Sequence, residues 1–268
     1  MTEVTDIGVL YEDEWLLAAD KPAGLLVHGD GTGAPSLTGI VRAHLLASGE
    51  NEAAAQLQSV QRLDVDTTGI VLFSKDKAVQ PALDALVAMH DGGAPAAPAC
   101  DGASAAARAG VRKRYLAIVR GAWPWESCEI DAAIGRDRHD ARRMRVAPSG
   151  KPARTHVMRL ATAGPRATCR TLLLVELASG RKHQIRVHLA SRGFPIVGDA
   201  LYGTPADRRA RVGSGLMLHA VAEDLVHPVT GRPLALRTPV PARFVEAFPG
   251  AFPDVDALLN AGSTRPAL

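Results

Sequence analysis

The segment Thr171–Leu177 constrains the fold most, because its side chains are nearly all apolar and it therefore predicts a central strand. Further strands are predicted at residues 7–10, 15–19, 113–120, 153–160, 168–178, 216–218 and 233–237. Helices are predicted near residues 37–47, 77–89 and 183–192, with Ser36 as the N-cap of the first and Gly193 after the last. Strands outnumber helices without a regular alternation. We therefore predict an α+β fold: a mixed, mostly antiparallel central β-sheet flanked by helices and loops.

The composition is that of an ordinary globular protein and says little about partners. Of the 268 residues, 47% are apolar and 22% are charged, and the net charge is +3. The basic residues are mostly arginine, which suits RNA but which a GC-rich genome also produces. Three cysteines without close spacing suggest neither a zinc site nor disulfides. No apolar run approaches the roughly 18 residues of a membrane span, so we expect a soluble, cytoplasmic protein.

We predict one domain over residues 1–250, followed by a C-terminal tail over residues 251–268. Residues 91–110 are rich in Gly, Pro and Ala and lack large apolar side chains. Such a segment buries too little surface to offset the entropy lost on ordering. We interpret it as a flexible insertion within the domain.

Residues 60–76 contain the first group of candidate functional side chains. Arg62 and Asp64 close a short apolar run, and a Thr-Thr-Gly turn and a second apolar strand follow. This arrangement can present one carboxylate rigidly, and the neighbouring Arg62 suggests an anionic substrate. Asp66 is placed to bond the backbone of the turn, so Asp64 is favoured as the reactive acid. The alternative is that Asp64 merely caps the turn.

A second group follows Gly180, where Arg181, Lys182 and Arg186 surround the start of a predicted helix. Cations and backbone amides at a helix start together favour an anion site. If this helix faces the Asp64 turn, Arg186 would orient that carboxylate; otherwise the two groups are separate surface patches. Neither metal ligands at a shared spacing nor an activated Ser or Cys is apparent, which leaves carboxylate chemistry.

These segments, in order, resemble motifs of the RluA-type pseudouridine synthase family. Arg62-Leu-Asp-x-x-Thr-Thr-Gly is similar to the family's catalytic motif, and Gly180-Arg-x-His-Gln-Ile-Arg-x-His-Leu to its most specific signature. The resemblance extends over roughly residues 8–240. The other matching stretches are Lys21-Pro-Ala-Gly-Leu-Leu-Val-His, Lys113-Arg-Tyr-Leu-Ala-Ile-Val-Arg-Gly, Gly193-x-Pro-Ile-Val-Gly-Asp-x-x-Tyr-Gly, Leu218-His-Ala and His227-Pro-x-Thr-Gly.

The resemblance implies a single catalytic domain that isomerises uridine to pseudouridine within RNA, without cofactor or metal. It implies that Asp64 attacks ribose carbon 1′ as a nucleophile or removes a proton from carbon 2′ as a base, and both routes remain open. The substrate would be a tRNA or rRNA stem-loop and the protein a monomer. The implied site consists of the catalytic residues Asp64, Tyr115 and Arg186 and the substrate-binding residues Arg62, Ile185, Arg181, His183 and Gln184.

Three further expectations follow from the comparison with the family's pattern. Gln61 stands where the family commonly has His, which affects local recognition but not the reactive Asp64. The opening loop appears by residue 21, so we expect no extra N-terminal RNA-binding domain. The cationic run Arg136–Arg145 is expected to be a loop that contacts phosphates. The alternative functions are a non-catalytic RNA-binding chaperone or ribosome-assembly factor, and an RNA N-glycosidase that releases uracil.

Overall fold

The computed structural model describes residues 7–90, 110–207 and 215–261. The chain divides into two compact units. Unit 1 comprises residues 1–111 and 223–238, and unit 2 comprises residues 112–222 and 239–268. The predicted insertion at residues 91–110 lies outside the described residues except for Gly110. The prediction of one domain over residues 1–250 stays a prediction.

Unit 1 is built on a small antiparallel sheet with helices on both faces. Strands β2 and β4 pair along their whole length, from Leu16 opposite Ser74 to Lys21 opposite Gly69. Every residue of β4 is buried. The elements are β1 (Gly8–Glu12), β2 (Leu16–Lys21), α1 (Leu37–Ala47), α2 (Asn51–Gln56), β3 (Gln58–Ser59), β4 (Thr68–Ser74) and α3 (Gln80–His90), with the end of β11 (Leu218–Val226) and β12 (Pro233–Arg237).

Side chains alternate between two cores because successive residues of a strand point to opposite faces of the sheet. Val71 and Phe73 pack with the buried side of α1 and α2, which includes Leu37. Ile70 and Leu72 pack with Leu83 of α3 on the other face. Burial on both faces explains why β4 has an unbroken apolar sequence.

Unit 2 contains a longer antiparallel sheet in which β10 lies between β5 and β9. Val175 of β10 is opposite Tyr115 on one side and Val157 on the other. The central position predicted for Thr171–Leu177 is therefore confirmed, as is the mostly antiparallel α+β fold. The elements are β5 (Arg112–Arg120), β6 (Ser127–Asp131), β7 (Ile134–Arg136), β8 (Met144–Val146), β9 (Arg154–Ala163), β10 (Arg170–Leu177), α4 (Gln184–Ser191), α5 (Ala242–Ala247) and α6 (Phe252–Ala261), with the start of β11.

Two local predictions need correction. The strand expected to end at Asp64 ends at Ser59, because the chain leaves the sheet after the bond from Val60 N to Leu72 O. The cationic run over residues 136–145 is a β-hairpin and not only a loop, because β7 and β8 pair on either side of its turn. Within the expected tail lies helix α6, whose Val255 and Leu259 side chains are buried. The division at residue 250 stays a prediction.

Among the described helices, none is both long and apolar enough to cross a membrane.

Candidate functional site

Asp64 lies in the loop that joins β3 to β4, and backbone hydrogen bonds hold this loop in place. The Thr67 amide donates to the Asp64 carbonyl at 3.1 Å, which closes a tight turn after the acid. The Gly24 amide donates to the Val65 carbonyl at 2.9 Å and ties the loop to the turn after β2. Asp64 is half-buried, and Arg62 is exposed. The carboxylate is therefore carried by a fixed backbone beside an accessible cation.

Lys21 anchors the same two loops through its ammonium group. Its side chain has no exposed surface, and Nζ donates to the carbonyls of Pro22 at 2.8 Å, Leu25 at 2.7 Å and Val65 at 2.8 Å. Burial lowers the pKa of Lys21 from 10.5 to about 8, although Asp66 and Asp64 act in the opposite direction. All three donors of the ammonium are used, so Lys21 is a structural cation under the Asp64 loop. The sequence placed it in a motif but gave no sign of this role.

Gln61 connects the start of the Asp64 loop to strand β11. Its side-chain amide donates to the carboxylate of Glu223, which is 2% exposed. Gln61 thus has a specific partner within unit 1. Where the resembled motif commonly has a titratable His ring, this chain has an amide that is bonded to a buried acid. Nearby, the exposed His28 ring is hydrogen-bonded to Ser59 at 2.8 Å, and burial and the Arg62 charge lower its pKa.

The segment before α4 is held by Gln184, whose side chain is 3% exposed. The Ser179 hydroxyl and the Arg181 amide donate to its Oε1 at 2.8 and 3.0 Å. Its Nε2 donates to the Arg154 carbonyl at 2.8 Å and to the Thr155 hydroxyl at 2.9 Å. Two acceptor and two donor positions are therefore used inside the protein. These bonds indicate that Gln184 shapes the loop.

Arg186 and Asp199 form a buried ion pair in unit 2. Arg186 Nε and one terminal nitrogen donate to the two Asp199 oxygens, both at 2.8 Å, and the residues are 5% and 0% exposed. Asp199 also accepts from the Leu201 and Tyr202 amides at 2.9 Å. Burial acts to raise the pKa of Asp199, but the hydrogen bond and charge of Arg186 outweigh it and lower the pKa. The guanidinium orientation is consequently fixed from within unit 2.

The remaining predicted residues of unit 2 differ in accessibility. Tyr115 in β5 and Ile185 in α4 are 8% and 4% exposed. Arg181 is half-buried and donates to the Pro152 carbonyl at 3.0 Å. His183 precedes α4 with a left-handed backbone at φ 57°, which is uncommon for a residue with a side chain.

Asp64 and Arg62 thus belong to unit 1, and the other predicted site residues belong to unit 2. The functional role assigned to each, including the pairing of Arg186 with Asp64, stays a prediction. Within the described ranges, no group of three or more His, Cys, Asp or Glu side chains could hold a metal ion.

Comparison with known proteins gives a family and close relatives. A protein family described as RNA pseudouridylate synthase matches residues 16–191. YhcT of Bacillus subtilis, an uncharacterized RNA pseudouridine synthase, is 32% identical over 241 residues, which cover 90% of this chain and 70% of that protein. The ribosomal large subunit pseudouridine synthase D of Xanthomonas campestris is 35% identical over 245 residues, covering 88% of this chain and 66% of that protein. The chain spans about two thirds of the length of these relatives.

A solved structure supports the fold. The human RNA pseudouridylate synthase domain containing 1 superposes with a TM-score of 0.69 at 21% identity, covering 97% of both chains. At this identity the likeness concerns the fold alone.

Proposed function

Because the chain belongs to the RNA pseudouridylate synthase family, we propose that it isomerises uridine to pseudouridine within an RNA, with Asp64 as the essential catalytic residue. The family match covers both the Asp64 loop and all of α4. The observation that carries the proposal is this match together with the anchored loop that presents Asp64 beside an exposed arginine.

The way in which unit 1 holds Asp64 supports a reactive role for it. Three carbonyls, one of them Val65 O directly after Asp64, bind the Lys21 ammonium. The electrostatic influence of Asp64 and Asp66 on Lys21 means that this fixed positive charge lies close to both acids. A catalytic group must be held in place while the substrate moves, because small displacements from the productive geometry are costly in rate.

The reaction needs one carboxylate and no redox change. Asp64 either bonds to ribose carbon 1′ or removes the proton from carbon 2′, and the bond from uracil N1 to carbon 1′ breaks. The detached uracil turns and its carbon 5 bonds to carbon 1′; at this step the bond from Asp64 to carbon 1′ breaks on the first route, and carbon 2′ regains its proton from Asp64 on the second. N1 gains a proton, and the carbon 5 proton leaves. In this proposal Tyr115 stacks on the uracil, Ile185 lines the base pocket, and Arg186 pairs with Asp64.

The target uridine has to leave its helix before Asp64 can reach the ribose, at a cost of a few kcal/mol. Arg62 is exposed two residues from Asp64, so its guanidinium is available to stack in the vacated position and to meet phosphate. The hairpin of residues 134–146 adds arginines that can bind the RNA backbone. The name of the Xanthomonas campestris relative supports testing large-subunit rRNA before tRNA.

The test is release of tritium from RNA labelled at uracil carbon 5, measured with rRNA and tRNA separately. We expect tritium release by the native protein and a rate of release that is about 10²–10⁴-fold lower in Asp64→Asn. Asp66→Asn is the matched control, because it removes the neighbouring acid of the same loop and should cost much less. Equal losses in both variants would contradict the assignment of Asp64.

Two outcomes would replace the proposal by its alternatives. RNA binding without tritium release from either RNA would favour a non-catalytic RNA chaperone or ribosome-assembly factor. Free uracil in the reaction mixture would indicate an N-glycosidase, which breaks the same bond but does not form the new one.

A further inference from the structure

Tyr202 connects the hairpin of residues 134–146 to the start of α4. Its hydroxyl accepts a hydrogen bond from the Met144 amide of β8 at 2.8 Å and is bonded to His183 Nδ1, also at 2.8 Å. The residue is 8% exposed. One hydroxyl thus holds the second strand of the hairpin against the residue that immediately precedes α4.

Two arginine side chains also lie against the ring of Tyr202. The guanidinium carbon of Arg143 lies 5.2 Å from the ring centre, and that of Arg186 lies 5.3 Å from it. Both distances fall within the range of cation–π attraction. Two positive groups beside one ring also repel each other, so the arrangement favours an anion near them.

The two arginines differ in how their charge is balanced. Arg186 is paired bidentately with Asp199. Arg143 Nε is buried and has no hydrogen-bond partner among the described residues. Stacking uses the face of a guanidinium and leaves the in-plane N–H donors of its terminal nitrogens available, and those donors match the geometry of a phosphate.

The adjacent Arg142 is a useful contrast. Its Nε and a terminal nitrogen bind the carboxylate of Asp140 at 3.0 and 2.9 Å, and its side chain is 77% exposed. Arg142 is therefore hydrogen-bonded to Asp140 within the hairpin, whereas Arg143 lies on an aromatic ring with its Nε unpaired within the described part of the chain. The charges of Asp137 and Asp140 also attract Arg143.

We propose that Arg143 binds a phosphate of the RNA backbone and that Tyr202 is the positioning residue that holds Arg143 beside α4. The proposal rests on RNA being the substrate, as argued under the proposed function. In this proposal the ring of Tyr202 contacts both Arg143, which binds the RNA backbone, and Arg186 of α4. It also explains why a buried tyrosine bonds a strand amide and a helix-start imidazole together.

The test is the salt dependence of binding to a fluorescein-labelled RNA stem-loop. Each phosphate contact contributes about 0.7–0.9 to the slope of log affinity against log salt. Arg143→Gln should lower the slope by about that amount and weaken binding about six-fold at about 0.1 M salt. Arg142→Gln, which removes the same charge one residue away, should lower the slope by less.

Tyr202→Phe tests positioning, since it keeps the ring and removes only the hydroxyl. The change carries no charge, so a purely structural role would leave the slope as in the native protein. We expect a smaller fall than that of Arg143→Gln, because the ring that holds the guanidinium remains, and no further fall in the double variant, because both changes act on one contact. Tyr11→Phe, which removes a hydroxyl bonded to Asp13 in unit 1, is the control and should keep the native slope.

An unchanged slope in Arg143→Gln would overturn the phosphate contact. This variant tests the contact even if Tyr202→Phe folds poorly. A native slope in folded Tyr202→Phe, or additive losses in the double variant, would overturn the positioning role. The readout is binding and not tritium release, so failure of this proposal is distinguishable from failure of the proposed catalysis.

Discussion

Replacing Lys21 by Met should give a stability difference that depends on pH. Lys21 has a pKa of about 8 in the folded chain against an ordinary value of 10.5. Between these values the unfolded chain binds more protons than the folded chain, so the free energy of unfolding of the native protein rises with pH across this window. From about pH 7 to about pH 9.5 this group alone should add about 2 kcal/mol.

The substitution has two opposing effects at about pH 7. The carbonyls of Pro22 and Leu25 lose the ammonium, whereas Val65 O still accepts from the Gly24 amide. Two buried carbonyls left without this donor cost about 2–6 kcal/mol. Removing the buried charge stabilises the folded chain by about 3 kcal/mol at about pH 7 and by about 1 kcal/mol at about pH 9.5. Lys21→Met should therefore be mildly destabilising at the lower pH and clearly more so at the higher one.

The assay is urea unfolding of both proteins at the two pH values, followed by fluorescence. Subtracting the free energies of unfolding of the two proteins cancels the contributions of titratable groups that both contain. Lys77→Met is the matched control, because Lys77 is exposed in the same unit and its removal should cost the same at both pH values. A Lys21→Met cost that stays constant within about 0.5 kcal/mol from about pH 7 to about pH 9.5 would refute the reasoning about the buried charge.

Two further predictions concern groups with opposite degrees of burial. Asp199→Ala should lower the free energy of unfolding by about 3–5 kcal/mol, because Arg186 would keep a buried charge without its carboxylate. Urea titration followed by tryptophan fluorescence measures this, and a loss below about 1 kcal/mol would contradict it. Arg62→Ala should weaken RNA binding while single-turnover tritium release at saturating RNA stays within about two-fold of native, because the arginine is proposed to act on the flipped nucleotide and not on the bond. A loss confined to the chemical step would contradict the assignment.

The parts of the fold that the sequence predicted well are those set by local chemistry. Ser36 accepts a hydrogen bond from the Gly39 amide at 3.2 Å, as an N-cap should, and α1 spans Leu37–Ala47 as predicted. Gly193 follows α4 with φ 84°, a conformation that favours glycine. In both cases the signal and the structure that it specifies lie within a few residues of each other.

The hairpin of residues 134–146 shows where local signals fail. Its strands are only three residues long, and Arg136 at the end of β7 and Arg145 in the middle of β8 hide any alternation of apolar and polar side chains. The sequence therefore indicates only a cationic loop. The contact that fixes β8, from the Met144 amide to Tyr202, joins residues that are 58 positions apart.

Gln184 illustrates a different limit. The resemblance implied a substrate-binding role for it, but the sequence cannot show in which direction its side chain points. Helix α4 is buried at every position from Gln184 to Leu189, so hydrophobic periodicity distinguishes no face. The partners of Gln184 come from the segments around Arg154 and Ser179, and only the folded chain brings them together.

The polar groups that hold the candidate residues within each unit share one property. Lys21, Gln184 and the Arg186–Asp199 pair are buried, and burying such groups is unfavourable unless their hydrogen bonds are complete. Apolar side chains that replaced the whole Arg186–Asp199 pair could pack at no greater cost, so stability alone does not account for that pair. What apolar packing lacks is direction: it does not fix the orientation of a guanidinium or the path of a catalytic loop. If positioning is their role, substitutions at these residues should reduce tritium release by more than the loss of folded protein explains, whereas Arg62→Ala should reduce RNA affinity without affecting stability.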